Sequence, residues 1–463
     1  MGEFMPAFTG LKPRSCALLF ATALLGGCTN VALEADTGAL PEAYASDREL
    51  PLHPDVAPDQ APPAAFGEPP YANTLALKDA VTRAIAFSPA LRAAFLEIDA
   101  RLGEEAQSSV RPNPSLLIDV ENFAGNKGLS GFGGAEETVS LAQTIELGDK
   151  RLKRSQAAHL DTSLAGWDHE SLRVKVATLA AQAFVDVLIA QERYKVLGEF
   201  VVLAEKTRSS VDARVKGGKA SPIELDRASV ALARAKALQQ AERARLNAAK
   251  RRLSALWGSS KVDFGSAVGR LGTGYTAPTS KSLVTLLNNN PMLARWGDEI
   301  NRRVAQLDLE HANAIPDVTL GAGVRTSQDT DSTAMVASLS MPIPFFNKNE
   351  GNIAAARRRI SKAENEQLAV RNELYTTLVE VLGELDVAAT ELRALEKDVL
   401  PGAQSAYEKT RIGFDEGKFD ILSVLDVQRT IFETRLEVLT ARANYEKARA
   451  RIEALIGRDL NGL

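Results

Sequence analysis

Residues 374–399 read LYTTLVEVLGELDVAATELRALEKDV, and their pattern predicts a long coiled helix. From Leu374 to Val399 the apolar side chains follow one another at steps of four and three residues, which is the heptad spacing of coiled-coil helices. Residues 176–201 carry apolar side chains at the matching positions, 198 residues earlier in the chain. A compact helical bundle is the alternative, but heptads sustained this long without helix caps favour long coiled helices.

The repetition extends beyond these two stretches. A returning helix is predicted at 424–455 and again at 225–256, where only Gln239 and Glu242 clearly interrupt the apolar seam. We therefore predict a first structural repeat at 74–270, with a helix, two strands and two long helices, and a second repeat at 271–463. Four short matches keep the same order in both halves at offsets of 202 or 199 residues: Pro89 with Pro291, Pro114 with Pro316, Gly218-Lys219 with Gly417-Lys418, and residues 255–258 with 454–457.

Each repeat also contains two segments in which apolar and polar side chains alternate. These segments lie at 116–121, 138–147, 317–325 and 335–343. Alternation predicts strands with one apolar and one polar face, which fits either a half-buried soluble sheet or a membrane barrel. Four strands cannot close into a barrel, and lipid does not tolerate open sheet edges. If the strands are in a membrane, several chains must pool them, and three chains would supply twelve.

The predicted helix from Lys150 to Val215 would be about 100 Å long at 1.5 Å per residue. A compact domain cannot contain a helix of this length. A tube that crosses the periplasm can.

The first 73 residues are predicted to be a secretion signal followed by a linker. Lys12 and Arg14 precede a short apolar run that ends at Gly27-Cys28, so residues 1–27 are predicted to be a secretory signal peptide. The run resembles a bacterial lipobox, in which Cys28 would be lipidated and Thr29 would favour sorting to the outer membrane. An ordinary signal peptide that happens to contain a cysteine is the alternative. Residues 28–73 are rich in proline and are predicted to be an extended linker.

Composition excludes several classes of protein. The 463 residues are 45% hydrophobic and 25% charged, without the repeated apolar runs of a polytopic helical membrane protein. The net charge of −4 provides no polybasic surface for nucleic acid. Both cysteines lie within the first 28 residues, and the four histidines are scattered, so neither a disulfide framework nor a metal centre is predicted. The glycine-rich segment 125–134 lacks a Gly-Lys-Ser/Thr ending, and no catalytic motif occurs, so we predict neither an enzyme nor a cofactor.

Two further segments carry a family resemblance. Residues 411–417, RIGFDEG, followed by 423–428, SVLDVQ, resemble the signature of the outer membrane efflux (TolC-type) family. Asn122-Phe123 and residues 143–151, QTIELGDKR, resemble the heavy-metal branch typified by the cobalt–zinc–cadmium resistance outer-membrane protein. The resemblance covers the chain from about residue 74 to 457.

This resemblance implies a fold that is mainly α with a small β part. It implies a homotrimer that forms a twelve-stranded barrel in the outer membrane and continues into a periplasmic helical tunnel. The implied partners are a periplasmic adaptor (membrane fusion protein) and an inner-membrane resistance-nodulation-division pump driven by protons. The implied cargo is a cobalt, zinc, cadmium or nickel cation. A multidrug efflux channel and a lipid-anchored periplasmic coiled-coil scaffold are the alternatives.

The resemblance also assigns site residues. In the family, aspartates narrow the periplasmic mouth; Asp426 matches one of them, whereas the second position is Ser423 in this chain. Asp415, Glu416 and Asp420 would keep the mouth acidic and favour cations, although a solvated helix-turn surface is the alternative. In the family, two helical tips contact the adaptor, and glycines at these tips permit the chain to reverse. The tip residues are Gly217, Gly218, Lys219, Gly413, Gly417 and Lys418.

Overall fold

The computed structural model describes residues 69–269 and 280–457. Helices dominate both halves of the chain, as the heptad pattern predicts. The described elements of the first half are β1 (Ala72–Leu75), α1 (Leu77–Phe87), α2 (Pro89–Ser108), β2 (Ser115–Glu121), β3 (Glu136–Ile145), α3 (Lys150–Lys216), α4 (Pro222–Ala255) and β4 (Phe264–Ala267). Those of the second half are α5 (Ser280–Leu286), α6 (Pro291–Ala294), α7 (Trp296–Asn313), β5 (Val318–Ser327), β6 (Ser332–Ser340), α8 (Glu350–Ala394), α9 (Leu400–Asp415) and α10 (Ile421–Ile456).

The two halves build their long helices in the same way. Helix α3 has 67 residues and confirms the predicted helix from Lys150. The residues that precede α3 and α8, Asp149 and Asn349, both adopt the left-handed conformation, with φ of 58° and 60°. Asp and Asn tolerate this conformation better than other side chains. The chain therefore turns from strand to helix by the same backbone device in each half.

The long helices lie side by side in the order α4, α3, α10, α8. Because α3 and α10 are the two central helices, each has two apolar seams rather than the single seam that the sequence predicts. The predicted seam of α10, which includes Val438 and Ile452, packs toward α8. The second seam joins α10 to α3 and consists of Phe432, Leu439 and Ala443 packed against Val185, Ile189 and Val196.

The four predicted strands form one antiparallel sheet in the order β2-β3-β5-β6. Both edges of this sheet, β2 and β6, lack a strand neighbour within the described part of the chain. The last predicted strand ends earlier than expected, at Ser340 rather than at residue 343. Pro342 and Pro344 have no backbone N–H to donate to a ladder, which ends the strand. The sequence also missed the short parallel pair formed by β1 and β4.

Helix α8 continues into α9 through a π-helical segment, Leu395–Val399, that the heptad pattern does not predict. Here the N–H of Leu400 donates to the carbonyl of Leu395, five residues back. Pro401 follows immediately and has no N–H to donate to the carbonyl four residues earlier. A missing donor of this kind is a recognised cause of a local bulge in a helix.

The polar interruption predicted in the seam of α4 is an ion-pair site. Glu242 is 2% exposed, and its carboxylate lies 3.3 Å from Arg193 of α3 and 3.0 Å from Arg245. Gln239 packs beside Gly198, where a Cβ would lie 3.0 Å from its side-chain nitrogen. A buried carboxylate is tolerated because cations compensate for its lost hydration.

Candidate functional site

The first helical tip (residues 211–227) reverses the chain between α3 and α4. Gly218 has φ of +69°, and the N–H of Lys219 donates to the carbonyl of Arg214 at 2.8 Å. These contacts satisfy the last carbonyls of α3 in the manner of a glycine C-cap. Ser221 then caps α4 by accepting a hydrogen bond from the N–H of Ile223. The structure therefore places the chain reversal at Gly217, Gly218 and Lys219, as the sequence predicts.

The second helical tip (residues 410–426) uses the same construction between α9 and α10. Gly417 has φ of +80°, and the N–H of Lys418 donates to the carbonyl of Gly413 at 2.7 Å. Gly413 itself lies inside α9, not in the turn as its grouping with Gly417 suggests. Its role is steric, because a Cβ at position 413 would lie 2.3 Å from Cδ2 of Phe419.

The structure brings the two tips together. Val211 of the first tip and Ala228, the residue that follows this tip, pack with Phe414 and Val424 of the second tip in one apolar cluster. Arg214 crosses between the tips: Nη1 donates to the carbonyl of Phe414 at 3.0 Å, and the guanidinium lies 4.4 Å from the centre of the Phe414 ring. Cation–π contacts of this kind stabilise exposed sites modestly. The sequence does not predict this contact, because no pattern near Arg214 identifies Phe414, 200 residues later, as its partner.

Three of the predicted acidic residues form ion pairs with basic side chains of their own segment. All three carboxylates are exposed, so each pair contributes little to stability. The pairs nevertheless offset part of the negative charge expected at this tip. They are Asp415 with Arg411 at 3.6 Å, Glu416 with Lys418 at 2.6 Å, and Asp426 with Arg429 at 2.7 Å.

Asp420 and Ser423 act as a unit at the start of α10. The Asp420 carboxylate accepts hydrogen bonds from the N–H of Ser423 at 3.0 Å and from its hydroxyl at 2.6 Å. These two hydrogen bonds lower the pKa of Asp420 below its ordinary value, with a smaller contribution from the charge of Arg227. Ser423 is therefore a partner of the helix cap in the structure.

A buried polar contact lies one turn deeper than these residues. The amide nitrogen of Gln428 donates to the hydroxyl of Thr207 at 2.8 Å, and both side chains are buried between α10 and α3. Gln428 is the last residue of the family-like segment 423–428, but its burial follows from the second seam of α10. A one-seam pattern could not identify it.

The four-stranded sheet presents two chemically different faces. Cross-strand pairs such as Ile118 with Val139 and Val324 with Met335 lie on one face, which is apolar and exposed. Met335 is 87% exposed and Leu339 is 72% exposed. The opposite face pairs polar or small residues, for example Ser140 with Gly323. An exposed apolar sheet face of this kind marks an interaction surface.

Within residues 69–269 and 280–457, no helix combines the length and apolarity needed to cross a bilayer. Across the same residues, no group of three or more His, Cys, Asp and Glu side chains is placed to hold a metal ion. His159, one of the scattered histidines, lies 3.0 Å from Glu105 through Nδ1.

Comparison with known sequences decides the family. The chain is 33% identical over 387 residues to the cobalt-zinc-cadmium resistance protein CzcC of Cupriavidus metallidurans, covering 84% of this chain and 91% of CzcC. The chain belongs to the outer membrane efflux protein family. Residues 283–458 match the model of this family, which is described as Outer membrane efflux protein. The nickel-cobalt-cadmium resistance protein NccC of Alcaligenes xylosoxydans xylosoxydans is 26% identical over 305 residues, covering 66% of this chain and 68% of NccC.

A solved structure shares the fold of this outer membrane efflux protein. The structure of CusC, described in terms of folding and transmembrane channel formation, superposes with a TM-score of 0.68. The two chains are 16% identical, and the alignment covers 88% of this chain and 99% of CusC. The TolC-like fold predicted from the sequence is therefore confirmed at the level of the single chain.

Proposed function

We propose that this chain is the outer-membrane channel of a tripartite, proton-driven efflux system that exports heavy-metal cations of the cobalt, zinc, cadmium or nickel type. The observation that carries the proposal is the similarity to CzcC along 84% of the chain. The partners in this proposal are a periplasmic adaptor and an inner-membrane resistance-nodulation-division pump. The metal ion is cargo, and the chain conducts it without holding it tightly, because tight sites would trap the ion.

The open edges of the sheet support a homotrimer. Strands β2 and β6 each leave a row of backbone N–H and C=O groups without a strand partner among the described residues. In lipid these groups must be paired, and a closed ring of strands pairs all of them. One chain supplies four strands, so three copies would supply a barrel of twelve.

The outer helices support the same ring. Helices α4 and α8 are the two edges of the helical layer, and both carry exposed apolar side chains. Ile223 and Val230 of α4 are 62% and 69% exposed, and Tyr375 and Val387 of α8 are 50% and 66% exposed. In a closed ring, α4 of one copy would lie beside α8 of the next. The apolar side chains would then be covered on both edges.

The dimensions of the sheet fit an outer-membrane barrel. Strands β3 and β5 have 10 residues each, and a tilted strand needs about 9–11 residues to cross the hydrocarbon core. Aromatic rings flank both ends of the apolar face. Phe345 and Phe346 lie just beyond β6, and Phe123 stacks on Phe132 between β2 and β3 with ring centroids 5.7 Å apart. Girdles of aromatic residues at both interfaces are typical of such barrels.

The helical tips are the periplasmic mouth in this proposal. Asp426 and Ser423 would face the constriction, and Asp415, Glu416 and Asp420 would make the approach to it acidic. The glycine turns at Gly217, Gly218 and Gly417, together with Lys219 and Lys418, would contact the adaptor. Gly413, which the resemblance groups with them, is buried inside α9 against Phe419 and is not accessible to a partner. The exposure of both turns supports this assignment, because a contact surface must be accessible.

The lipid anchor belongs to the same proposal. Cys28, the signal peptide at 1–27 and most of the linker at 28–73 lie outside the described residues. We expect replacement of Cys28 by Ser to abolish incorporation of labelled palmitate. Labelling of the C28S variant at the level of the wild type would contradict the lipidation.

The cargo is tested by deletion and complementation. We expect deletion of the gene to lower tolerance to cobalt, zinc, cadmium or nickel, measured as minimal inhibitory concentration, and the wild-type gene to restore it. The control variant is Gly323→Leu, because a Cβ at position 323 would lie 2.3 Å from the carbonyl oxygen of Val139 and disrupt the sheet. This variant should fail to restore tolerance.

Two results would contradict the proposal. Unchanged tolerance to all four metals with lost tolerance to dyes or antibiotics would assign the channel to organic compounds instead. Purified protein that remains a monomer in detergent and gives no conductance in planar bilayers would favour the periplasmic scaffold.

A further inference from the structure

The polar face of the four-stranded sheet carries its charged residues at one end only. Asp119, Glu121, Glu136 and Arg325 lie at the end where the connections between β2 and β3 and between β5 and β6 leave the sheet. Most of the remaining positions on this face are Ser, Thr, Ala or Gly. Arg325 is the single basic residue on this face among the described strands, and it lies beside three acidic residues.

Arg325 joins three strands through its guanidinium group. On β3, Nε donates to the hydroxyl of Thr138 at 2.9 Å and Nη1 donates to Glu136 at 3.1 Å. On β2, Nη2 donates to Glu121 at 3.2 Å. A planar fork that reaches separate carboxylates is a geometry that arginine provides and lysine does not.

The two glutamates would repel each other without this arginine. Glu121 and Glu136 are directly opposite each other in the register of β2 and β3. Like charges directly opposite on neighbouring strands are destabilising. Carboxylate oxygens are also ligands for divalent cations. A pair of carboxylates without a counter-cation on a channel wall would therefore bind such a cation and retain it.

We propose that Arg325 is a tethered counter-cation that occupies the Glu121–Glu136 pair, so that divalent cations pass this end of the channel without being retained. Arg325 thereby also sets the charge selectivity of this end. The inference rests on the proposed function, since it requires that the polar face lines a conducting lumen. The inference gives a role in ion selectivity to residues of the sheet, separate from the acidic residues of the second helical tip.

The experiment measures ion conduction in planar bilayers with the wild type and the variant Arg325→Gln. We expect R325Q to raise the cation-to-anion permeability ratio and to lower the Cd²⁺ concentration for half-block by about tenfold or more, because the freed carboxylates can bind the ion. The triple variant R325Q/E121Q/E136Q should lose this block again.

The matched control is Arg101→Gln on α2. Arg101 also pairs with two glutamates, Glu97 and Glu104, each at 2.9 Å, but it lies outside the sheet. We expect R101Q to conduct and to be blocked as the wild type is. Equal effects of R101Q and R325Q would overturn the inference, since the change would then follow from net charge alone.

The remaining outcomes separate the inference from the proposed function. A wild-type protein without conductance would overturn the proposed function itself. A conducting wild type with unchanged selectivity and block in R325Q would overturn only the role of Arg325. If R325Q does not assemble, E121Q/E136Q with Arg325 retained tests the same site: a shift toward anions supports the inference, and unchanged selectivity overturns it.

Discussion

The hairpin of α3 and α4 and the hairpin of α9 and α10 have the same backbone conformation at their turns but differ in the charge of their side chains. Residues 199 positions apart perform the same structural task in each. Gly218 and Gly417 supply the left-handed turn, and Ser221 and Asp420 cap the returning helix. The first tip contains four basic and three acidic residues, whereas the second contains two basic and four acidic residues. Arg227 in the first tip matches Asp426 in the second.

The returning helices differ in the same manner. Position 242 in α4 is a buried glutamate, and the matching position in α10 is Ala441, packed among apolar neighbours. Turn and cap residues are retained in both halves where the backbone requires them, while side chains on the helix faces differ between the halves. The chain reversal therefore depends on residues that the two halves share, and the difference in charge lies in residues that they do not share.

The largest expected effect comes from the polar seam that distinguishes α4 from α10. Replacing Arg193 with Met removes the α3 partner of buried Glu242 and should lower the free energy of unfolding by about 3 kcal/mol. The double variant R193M/E242A, which introduces the alanine found at the matching position in α10, should be more stable than R193M. Denaturant unfolding of detergent-solubilised protein measures both.

The control for this prediction is Arg435→Met. Arg435 pairs with Glu199 at 2.8 Å, but the pair is exposed, so the same substitution should cost less than about 1 kcal/mol. If R193M and R435M have equal effects, the burial of Glu242 is not what makes this ion pair important.

A second difference between the tips is Gly413, whose matching residue in the first tip is Arg214. Gly413→Ala places a Cβ against the Phe419 ring and should destabilise the protein by about 2 kcal/mol, measured by thermal unfolding. Gly402→Ala is the control, because a Cβ at position 402 of the same helix meets no atom within 4 Å. That variant should be neutral or slightly stabilising, since alanine favours helix. A neutral G413A would contradict the steric role of Gly413.

The comparison also shows how far the sequence alone could go. The heptads predicted α3 and the first seam of α10 because this periodicity depends only on spacing along one helix. Alternation predicted all four strands of the sheet for the same reason. The second seam and the contact of Arg214 with Phe414 depend on which helix lies alongside, whereas the π-helical segment follows from the missing N–H of Pro401, which a pattern of apolar spacing does not register. Partners about 200 residues away in sequence leave no local pattern.

We expect the charge difference at the tips to have a smaller effect, on the ion selectivity of the proposed channel. Asp426→Asn should lower the cation-to-anion permeability ratio by a factor of about 2, whereas Arg227→Gln at the matching position of the first tip should not lower it. Reversal potentials in a KCl gradient across planar bilayers measure both. Removing the ion-pair partner of Asp426 with Arg429→Gln should raise the ratio. Equal ratios in all of these variants would mean that Asp426 is only a surface residue paired with Arg429.

The smallest expected effect is a local response of the two helix caps to pH. Hydrogen bonds from Ser423 lower the pKa of Asp420 in the folded chain below the ordinary value of 3.8. The stabilisation by this cap is therefore complete above pH 3.8 and is lost as the pH falls through the lowered pKa. At the first tip the N–H of Ile223 donates instead to the hydroxyl of Ser221, which does not titrate in this range, and the carboxylate of Glu224 accepts from the N–H of Ser221 at 3.2 Å.

Hydrogen-exchange protection factors test this difference at two amides. Below pH 3.8 the protection of the Ser423 amide, which donates to Asp420, should fall more than that of the Ile223 amide, which donates to Ser221. The variant Asp420→Ser gives the second tip the cap of the first and should make the Ser423 amide as insensitive to pH as Ile223. If D420S and the wild type lose protection at Ser423 together, the pH response comes from the surrounding tip and not from the Asp420 carboxylate.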